Sequence, residues 1–499
     1  MRGTSWGWSP IVRDKSFELV PRVPLATILT TLLVLILSWS SCTALWSRTS
    51  NAVGAVRYAA AMIIAVSAIM TVRTVRARPF GLAWACYWAW SFVFLGLAPA
   101  YQLATGLFPW LGQFEDSTIF RAQVIVLSGH IAVAVGRRLA SRRSRQGRQT
   151  LLQAVQRSDR ARPVVHILVG AQFAVSALFV ALMGPTALIS GRSGFRAQLL
   201  NVATVPGGGT LYFLATAAAI TVPALAIACS KSGMLLNRSL LIVSVLSGFA
   251  VTNPFIGSRF LTGSFLVAVV GAQLIDRPAV RLLPVGMILL LVTIFPSLDL
   301  MRGDGTGAGR IQALSPSVAL RTFDFDSFEM LARAVAVQGG SGSEVVNPAM
   351  IVIAPVLRWV PFLAPKVVGF VSGPLVARAT GMTFTNVSMP LWAEGYLLAG
   401  LPGTIVLLGM LGVWLGVARG GSGLVDGRRL GSQVVDAPTG ALLFIVLRGS
   451  LYEVLGYLLF TIVVRAVLFR FGRDVGVRRR ALRSSVTPIK EVGDDARRE

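Results

Sequence analysis

The chain has 499 residues, 54% hydrophobic and only 14% charged, with a mean hydropathy of +0.69. Soluble domains carry about a quarter charged residues, so this balance excludes an ordinary soluble domain. A net charge of +26 would suggest nucleic acid in a soluble protein, but here the basic residues gather in short loops between apolar runs, which the positive-inside rule explains with no nucleic-acid partner.

In chain order, a basic segment 1–24 holding Arg2, Arg13, Lys15 and Arg22 leads into the first apolar run. No small-residue cleavage site follows that run, so it is expected to stay as an anchor. Runs long enough to cross a hydrocarbon core of about 30 Å are read at 25–46, 53–72, 80–103, 119–136, 164–184, 209–229, 239–255, 261–275, 283–300, 391–417, 431–447 and 451–469. The expected fold is an all-α polytopic membrane protein of about twelve transmembrane helices. Nine spans lie in 25–300 and three in 391–469, with a basic tail at 470–499. The loop 137–163 holds nine Arg and one Asp, and five further segments are basic. All six fall on one face if both termini are cytoplasmic. Only Lys15, Lys231, Lys366 and Lys490 are lysines; the other basic residues are Arg. With abundant Ala and Gly, that suggests a GC-rich bacterial genome and a bacterial cytoplasmic membrane.

The outer face then receives 104–118, 191–208, the turn 256–259, the long segment 301–390 and a tight turn around Arg448. Within 301–390, Phe325, Phe328, Leu331, Ala332 and Val335 recur at helical spacing, interleaved with Asp324, Asp326 and Glu329. This pattern predicts a short amphipathic helix along the outer membrane surface or over a cavity mouth. Residues 348–370 are apolar but broken by four prolines, so they are expected to wrap the bundle and not to span it.

Several polar residues fall at the outer ends of the expected spans: Arg192, Arg196, Arg259, Arg302, Glu394 and Arg448. Arginines there run against positive-inside and need anionic partners. One carboxylate cannot neutralise several guanidinium groups. An external phosphate or diphosphate can, because the planar fork binds two oxygens at once. A protein embedded in lipid meets diphosphates as polyprenyl-linked sugars. Structural readings compete: Arg259 could cap a helix or snorkel to the interface, and Glu394 could form a salt bridge with one of the arginines.

Other motifs point elsewhere. The "PGGGT" at 206–210 lacks the GK[ST] of a phosphate loop, and its glycines suit close helix packing. The Gly-rich 302–310 has no strand before it. His130, His166, Cys42, Cys86 and Cys229 are expected to be structural, with no metal-ligand spacing and no cofactor.

The turn "GSR" (257–259), the long segment 301–390, "AEGYLLAGLPG" (393–403) and "LRGSLYEVLGYLL" (447–459) occur in an order that resembles the bacterial O-antigen polymerase-like family, the oligosaccharide repeat unit polymerases. The resemblance covers roughly residues 190–470. It implies metal-independent glycosyl transfer from a polyprenyl-diphosphate-linked oligosaccharide to a second lipid-linked repeat unit, with a chain-length regulator or flippase as a possible partner. In that scheme Arg259 and Arg448, then Arg302, Arg196 and Arg192, hold the diphosphate. Glu394 serves the acceptor hydroxyl as base or orienting group, and Asp324, Asp326 and Glu329 are acceptor-side contacts. A lipid-linked oligosaccharide flippase or other twelve-span transporter is the alternative. A glycosyltransferase using polyprenyl-phosphate sugars, with Glu115 and Asp116 as its acidic pair, and a membrane scaffold stand behind it.

Overall fold

The run 82–105 has no polar face, and a helix that is apolar all round must be surrounded by other helices. A computed structural model places it at the centre of the bundle, with its residues buried from Leu82 to Ala104. The structure describes residues 25–47, 52–78, 80–143, 161–188, 191–205, 207–231, 236–253, 258–275, 277–296, 316–340, 346–358, 360, 363–385, 387–419, 430–464 and 466–467. Among them every regular element is helical.

In order these are α1 (Leu25–Leu45), α2 (Gly54–Arg76), α3 (Leu82–Thr105), α4 (Asp116–Arg143), α5 (Ala161–Met183), α6 (Gly191–Thr204), α7 (Gly208–Lys231), α8 (Arg238–Val251), α9 (Arg259–Leu274), α10 (Pro278–Ile294), α11 (Ser327–Gly339), α12 (Pro348–Leu357), α13 (Ser372–Ala379), α14 (Leu391–Arg419), α15 (Leu430–Val446) and α16 (Leu451–Val464). Seven of them (α1 to α5, α7 and α14) are long and apolar enough to cross a membrane. The other five expected spans are the shorter apolar helices α8, α9, α10, α15 and α16. Exposed Leu32, Ile36 and Trp39 on α1 suit contact with lipid.

The α3 helix starts at Gly81, which offers no side-chain cap. Asp436 of α15 supplies one, accepting the N–H groups of Leu82 (2.5 Å) and Ala83 (3.2 Å). A carboxylate there also complements the helix dipole. Asp436→Ala should cost about 2–3 kcal/mol, since hydrogen bonds to a charged group are lost, and should lower the unfolding temperature of the detergent-solubilised protein. Two π-turns, Phe92–Leu97 in α3 and Leu290–Ile294 in α10, each stand just before a proline, Pro99 and Pro296. Proline has no N–H for the preceding turn, which widens to adjust.

The α14 helix corrects the expected span 391–417. Ala399 (φ −158°, ψ 37°) and Gly400 (φ 62°, ψ −147°) break it, and 391–398 folds back against 401–419. A Cβ on Gly395 would lie 2.6 Å from Thr404 Cα, and one on Gly403 would lie 2.2 Å from the Gly395 carbonyl oxygen. Thr404 Oγ1 donates to the Trp392 carbonyl at 3.2 Å; in a straight helix those residues would be about 18 Å apart. Both limbs rest on α4. Trp392 Nε1 donates to the Val126 carbonyl at 3.3 Å, and a Cβ on Gly129 would meet both Trp392 and Leu408. A Cβ on Gly412 would lie 2.2 Å from the Val133 carbonyl oxygen, the close approach small residues allow between membrane helices. Glu394 therefore sits on a re-entrant limb of about 12 Å, and the limb 401–419, about 28 Å, has the length to cross. Averaged hydropathy cannot register a reversal between two apolar limbs.

Of the two placements expected for the amphipathic helix, along the outer membrane surface or over a cavity mouth, the first is corrected. Phe325, Phe328, Leu331, Ala332 and Val335 are buried as predicted, but so are Met330 and Ala334. Helix α11 is packed between α4, α13 and α14 and forms part of the core. Helix α12 lies against α14 with Val352, Ile353 and Val356 exposed, as a wrapping segment requires.

Candidate functional site

One end of the bundle gathers the end of α3, the starts of α9 and α14, the turn between α15 and α16, and the acidic strap 323–329. Gln102 of α3 holds the strap, its Nε2 donating to the carbonyls of Leu320 (3.1 Å) and Phe325 (3.0 Å). Each acid of the strap then meets an arginine from a different element. Asp324 pairs with Arg259 of α9 at 2.8 Å, Asp326 with Arg448 at 3.3 Å, and Glu329 with Arg333 of α11 at 2.7 Å.

The chain itself supplies a carboxylate partner to Arg259 and to Arg448, where the sequence had suggested an external anion alone. Arg259 is 8% exposed; besides Asp324 it donates to the Phe295 carbonyl at 2.6 Å, where the second π-turn ends. It ties α9, α10 and the strap together. Asp326, expected to touch substrate, accepts from Trp110 Nε1 (3.1 Å), Ser388 N (3.2 Å) and Ser388 Oγ (2.5 Å) as well as Arg448. Glu329 accepts the N–H groups of Trp110 (2.7 Å) and Gly112 (3.1 Å). Burial holds its carboxyl above the ordinary range, although those donors and Arg333 pull it the other way. Arg333→Ala leaves Glu329 buried and uncompensated and should cost about 3–5 kcal/mol; Arg333→Ala with Glu329→Gln should recover part of that loss in thermal unfolding.

Glu394 is 1% exposed and, among the described residues, is in no ion pair. It accepts the Ser372 hydroxyl and the Leu451 N–H at 3.0 Å, so it joins α13, α14 and α16. The charge facing it is another carboxylate, Glu453. Arg302 lies outside the described residues. Arg192 and Arg196 are on α6, and their side chains lie outside the description too.

Beside the strap, two arginines retain capacity for a ligand. The Arg448 side chain is 22% exposed and rests on the Phe260 ring at 4.2 Å. Its Nη2 donates to Asp326 and to the Phe323 carbonyl at 3.2 Å, while Nε has no acceptor among the described residues. Arg358, half-buried at the end of α12, is sandwiched between Phe213 (3.9 Å) and Tyr452 (4.1 Å) and donates to the Tyr452 carbonyl. Burial lowers its guanidinium from the ordinary value, with Glu453 and the tyrosines opposing. Glu453 of α16 is exposed, and one of its carboxylate oxygens lies 3.8 Å from where a Cβ on Gly449 would stand, beside the turn that carries Arg448.

Sequence reasoning missed Arg358 and Glu453. The first stands in a proline-broken apolar segment and the second two residues beyond a span start; the one available signal was that both are charges in otherwise apolar surroundings. His130 behaves structurally, its Nδ1 2.8 Å from the Tyr87 hydroxyl within a cage including Trp88 and Trp392. Glu115 and Asp116 are exposed, and Glu115 accepts the Ser117 hydroxyl at 3.2 Å. A Cβ on Gly208 would lie 1.9 Å from the Val202 carbonyl oxygen, so that glycine does serve close packing. Compared with known proteins, the chain matches no family model, no curated protein and no solved structure.

Proposed function

We propose that this protein is a glycan polymerase of the bacterial cytoplasmic membrane, joining polyprenyl-diphosphate-linked oligosaccharide repeat units at the outer face. The observation that carries the reading is the placement of Arg448 and Arg358, from separate elements, at the start of α16: Arg448 stands in the turn before it, and Arg358 donates to the Tyr452 carbonyl in its first turn. Two guanidinium groups held on aromatic rings suit a diphosphate with four or more free oxygens. The helices around this end of the bundle are apolar, and a polyprenyl chain would lie in the lipid beside them. In this proposal α8, α9, α10, α15 and α16 complete twelve crossings, and both termini are cytoplasmic, as the basic loops suggest.

The transfer forms a bond between an acceptor hydroxyl oxygen and the anomeric carbon of the donor glycan while the bond from that carbon to the diphosphate breaks. The leaving diphosphate takes the electron pair, and preorganised guanidinium groups stabilise its growing charge. They supply positive charge a cation would otherwise bring. Arg259, buried in its pair with Asp324, serves this scheme by positioning the strap that orients Arg448 through Asp326.

In cells depending on this chain, Arg358→Ala should lengthen the pool of single-repeat glycan lipids and shorten surface glycan by at least tenfold in mean units. Glycan of wild-type length would overturn the proposal. Lipid-linked units trapped on the cytoplasmic leaflet would favour a flippase instead.

A further inference from the structure

Three aromatic rings from separate segments form one slab beside Arg448. The Trp110 ring lies between those of Phe323 and Phe384, at centroid distances of 4.3 and 5.0 Å and interplanar angles of 26° and 23°. Stacks of this kind usually fill a core, yet Phe323 is 52% exposed and Phe384 41%. Apolar surface gathered in one exposed place marks a contact site.

The slab is held from beneath by the strap and α11. Trp110 and Gly112 both aim their N–H groups at the Glu329 carboxylate, at 2.7 and 3.1 Å. They converge because Leu111 between them is left-handed (φ 57°), the one non-glycine with a positive φ among the described residues, a conformation that costs a bulky side chain. Arg333 Nη2 donates to the Trp110 carbonyl at 3.1 Å, and Trp110 Nε1 donates to Asp326 at 3.1 Å. Through Nη1 the same Arg333 donates to Thr380 Oγ1 at 3.1 Å, at the end of α13. There the N–H groups of Gly381 and Met382 return to the carbonyls of Arg378 (3.1 Å) and Ala377 (2.9 Å). That pairing ends a helix on a left-handed glycine, and Gly381 has φ 71°. Phe384 follows this turn. Phe323 is tied by its carbonyl, which accepts Arg448 Nη2 at 3.2 Å. The backbone under each ring is therefore fixed, and the slab shares Asp326 and Phe323 with Arg448.

A tryptophan at a membrane interface turns its ring to lipid and its N–H to the headgroups. Trp110 turns its N–H into the protein instead, to Asp326. The exposed side chains next to the slab in sequence are polar: Gln113, Glu115, Asp116, Thr383 and Thr385. They suit water and not acyl chains. A sugar ring fits such a surface, because its polarised C–H groups meet the negative face of an aromatic ring while its hydroxyls stay hydrated at the edge.

We propose that Phe323, Trp110 and Phe384 form a sugar-binding platform, on which pyranose rings of the lipid-linked glycan stack while its diphosphate lies against Arg448. This rests on the polymerase reading above.

The test uses the full chain in nanodiscs and two probes: undecaprenyl diphosphate, and the single lipid-linked repeat unit extracted from cells lacking the chain. The ratio of the two affinities isolates what the sugars add, and the wild type should favour the repeat unit. Phe323→Ala and Phe384→Ala should each lower that ratio by about 3–10-fold, the worth of one aromatic contact. Their affinity for undecaprenyl diphosphate should not change. Phe384→Leu should lose as much as Phe384→Ala, because leucine returns apolar area without an aromatic face. If Phe323→Ala does not accumulate, the two Phe384 variants decide. Full recovery in Phe384→Leu would mean that any apolar group suffices, and it overturns the sugar assignment. Ratios unaltered in the alanine variants, or a wild-type ratio near one, overturn the platform and leave the polymerase reading standing. Unaltered ratios with lowered thermal stability in nanodiscs would make the slab a membrane anchor instead. Wild-type protein that binds neither probe overturns the polymerase reading and the platform with it.

Discussion

Arg448→Ala should cut glycan elongation by about 10²–10³-fold, the loss typical when one preorganised charge-stabilising donor is removed. Folding should change little by comparison. Asp326 keeps its bonds from Trp110 and both Ser388 donors, so the strap stays satisfied without the arginine. The ion pair is also long, at 3.3 Å, and partly exposed, which limits its worth to about 1 kcal/mol or less. Arg448→Lys should not restore activity, because an ammonium cannot grip Asp326 with one nitrogen and present others to a diphosphate in a fixed plane. Surface-glycan length together with the amount of protein in the membrane separates the two effects. An alanine variant that makes full-length glycan would remove Arg448 from the site.

The second large effect is architectural. Gly395→Val should cost at least the upper end of the roughly 1–3 kcal/mol seen for overpacking, because its Cβ would stand 2.6 Å from the Thr404 backbone. Backbone cannot step aside as a flexible side chain does. The limb 391–398 would be forced from 401–419, carrying Glu394 away from Leu451 and the start of α16 with it. Low membrane yield and an early unfolding transition are expected, with loss of elongation. Gly409→Ala is the matched control: nothing lies within 4 Å of a Cβ there, so thermal stability should hold or rise slightly. Equal behaviour of the two variants would mean that α14 is not a hairpin.

The short list of polar residues drawn from the sequence was informative in membership and misleading in pairing. Arg448, Arg259, Glu394, Asp324, Asp326 and Glu329 all sit at one end of the bundle. Their partners were not legible. Charges were weighed as though Glu394 alone could answer the arginines, whereas the strap acids, expected along the membrane surface or over a cavity mouth, pack into the bundle and pair with them. The partner of Glu394 was not legible either: it accepts the Leu451 N–H, 57 residues further along the chain, and not an arginine.

Composition and the spacing of apolar runs by themselves determined that this is an all-helical protein for a membrane, since burying uncharged segments of that length in water has no compensating interaction. They placed the basic residues in the loops between apolar runs as well, because loop charge is a property of sequence position. The tertiary structure decided how many of those runs are long continuous helices, where α14 turns back, and which carboxylate serves which arginine. Those outcomes depend on close approach between residues far apart in sequence, through glycines such as Gly395 and Gly129, and hydropathy averaged along the chain contains no term for such contacts. The stretch around Glu394 shows the division: its charge marked it as special, and only the fold shows it accepting the Ser372 hydroxyl and the Leu451 N–H at the start of α16.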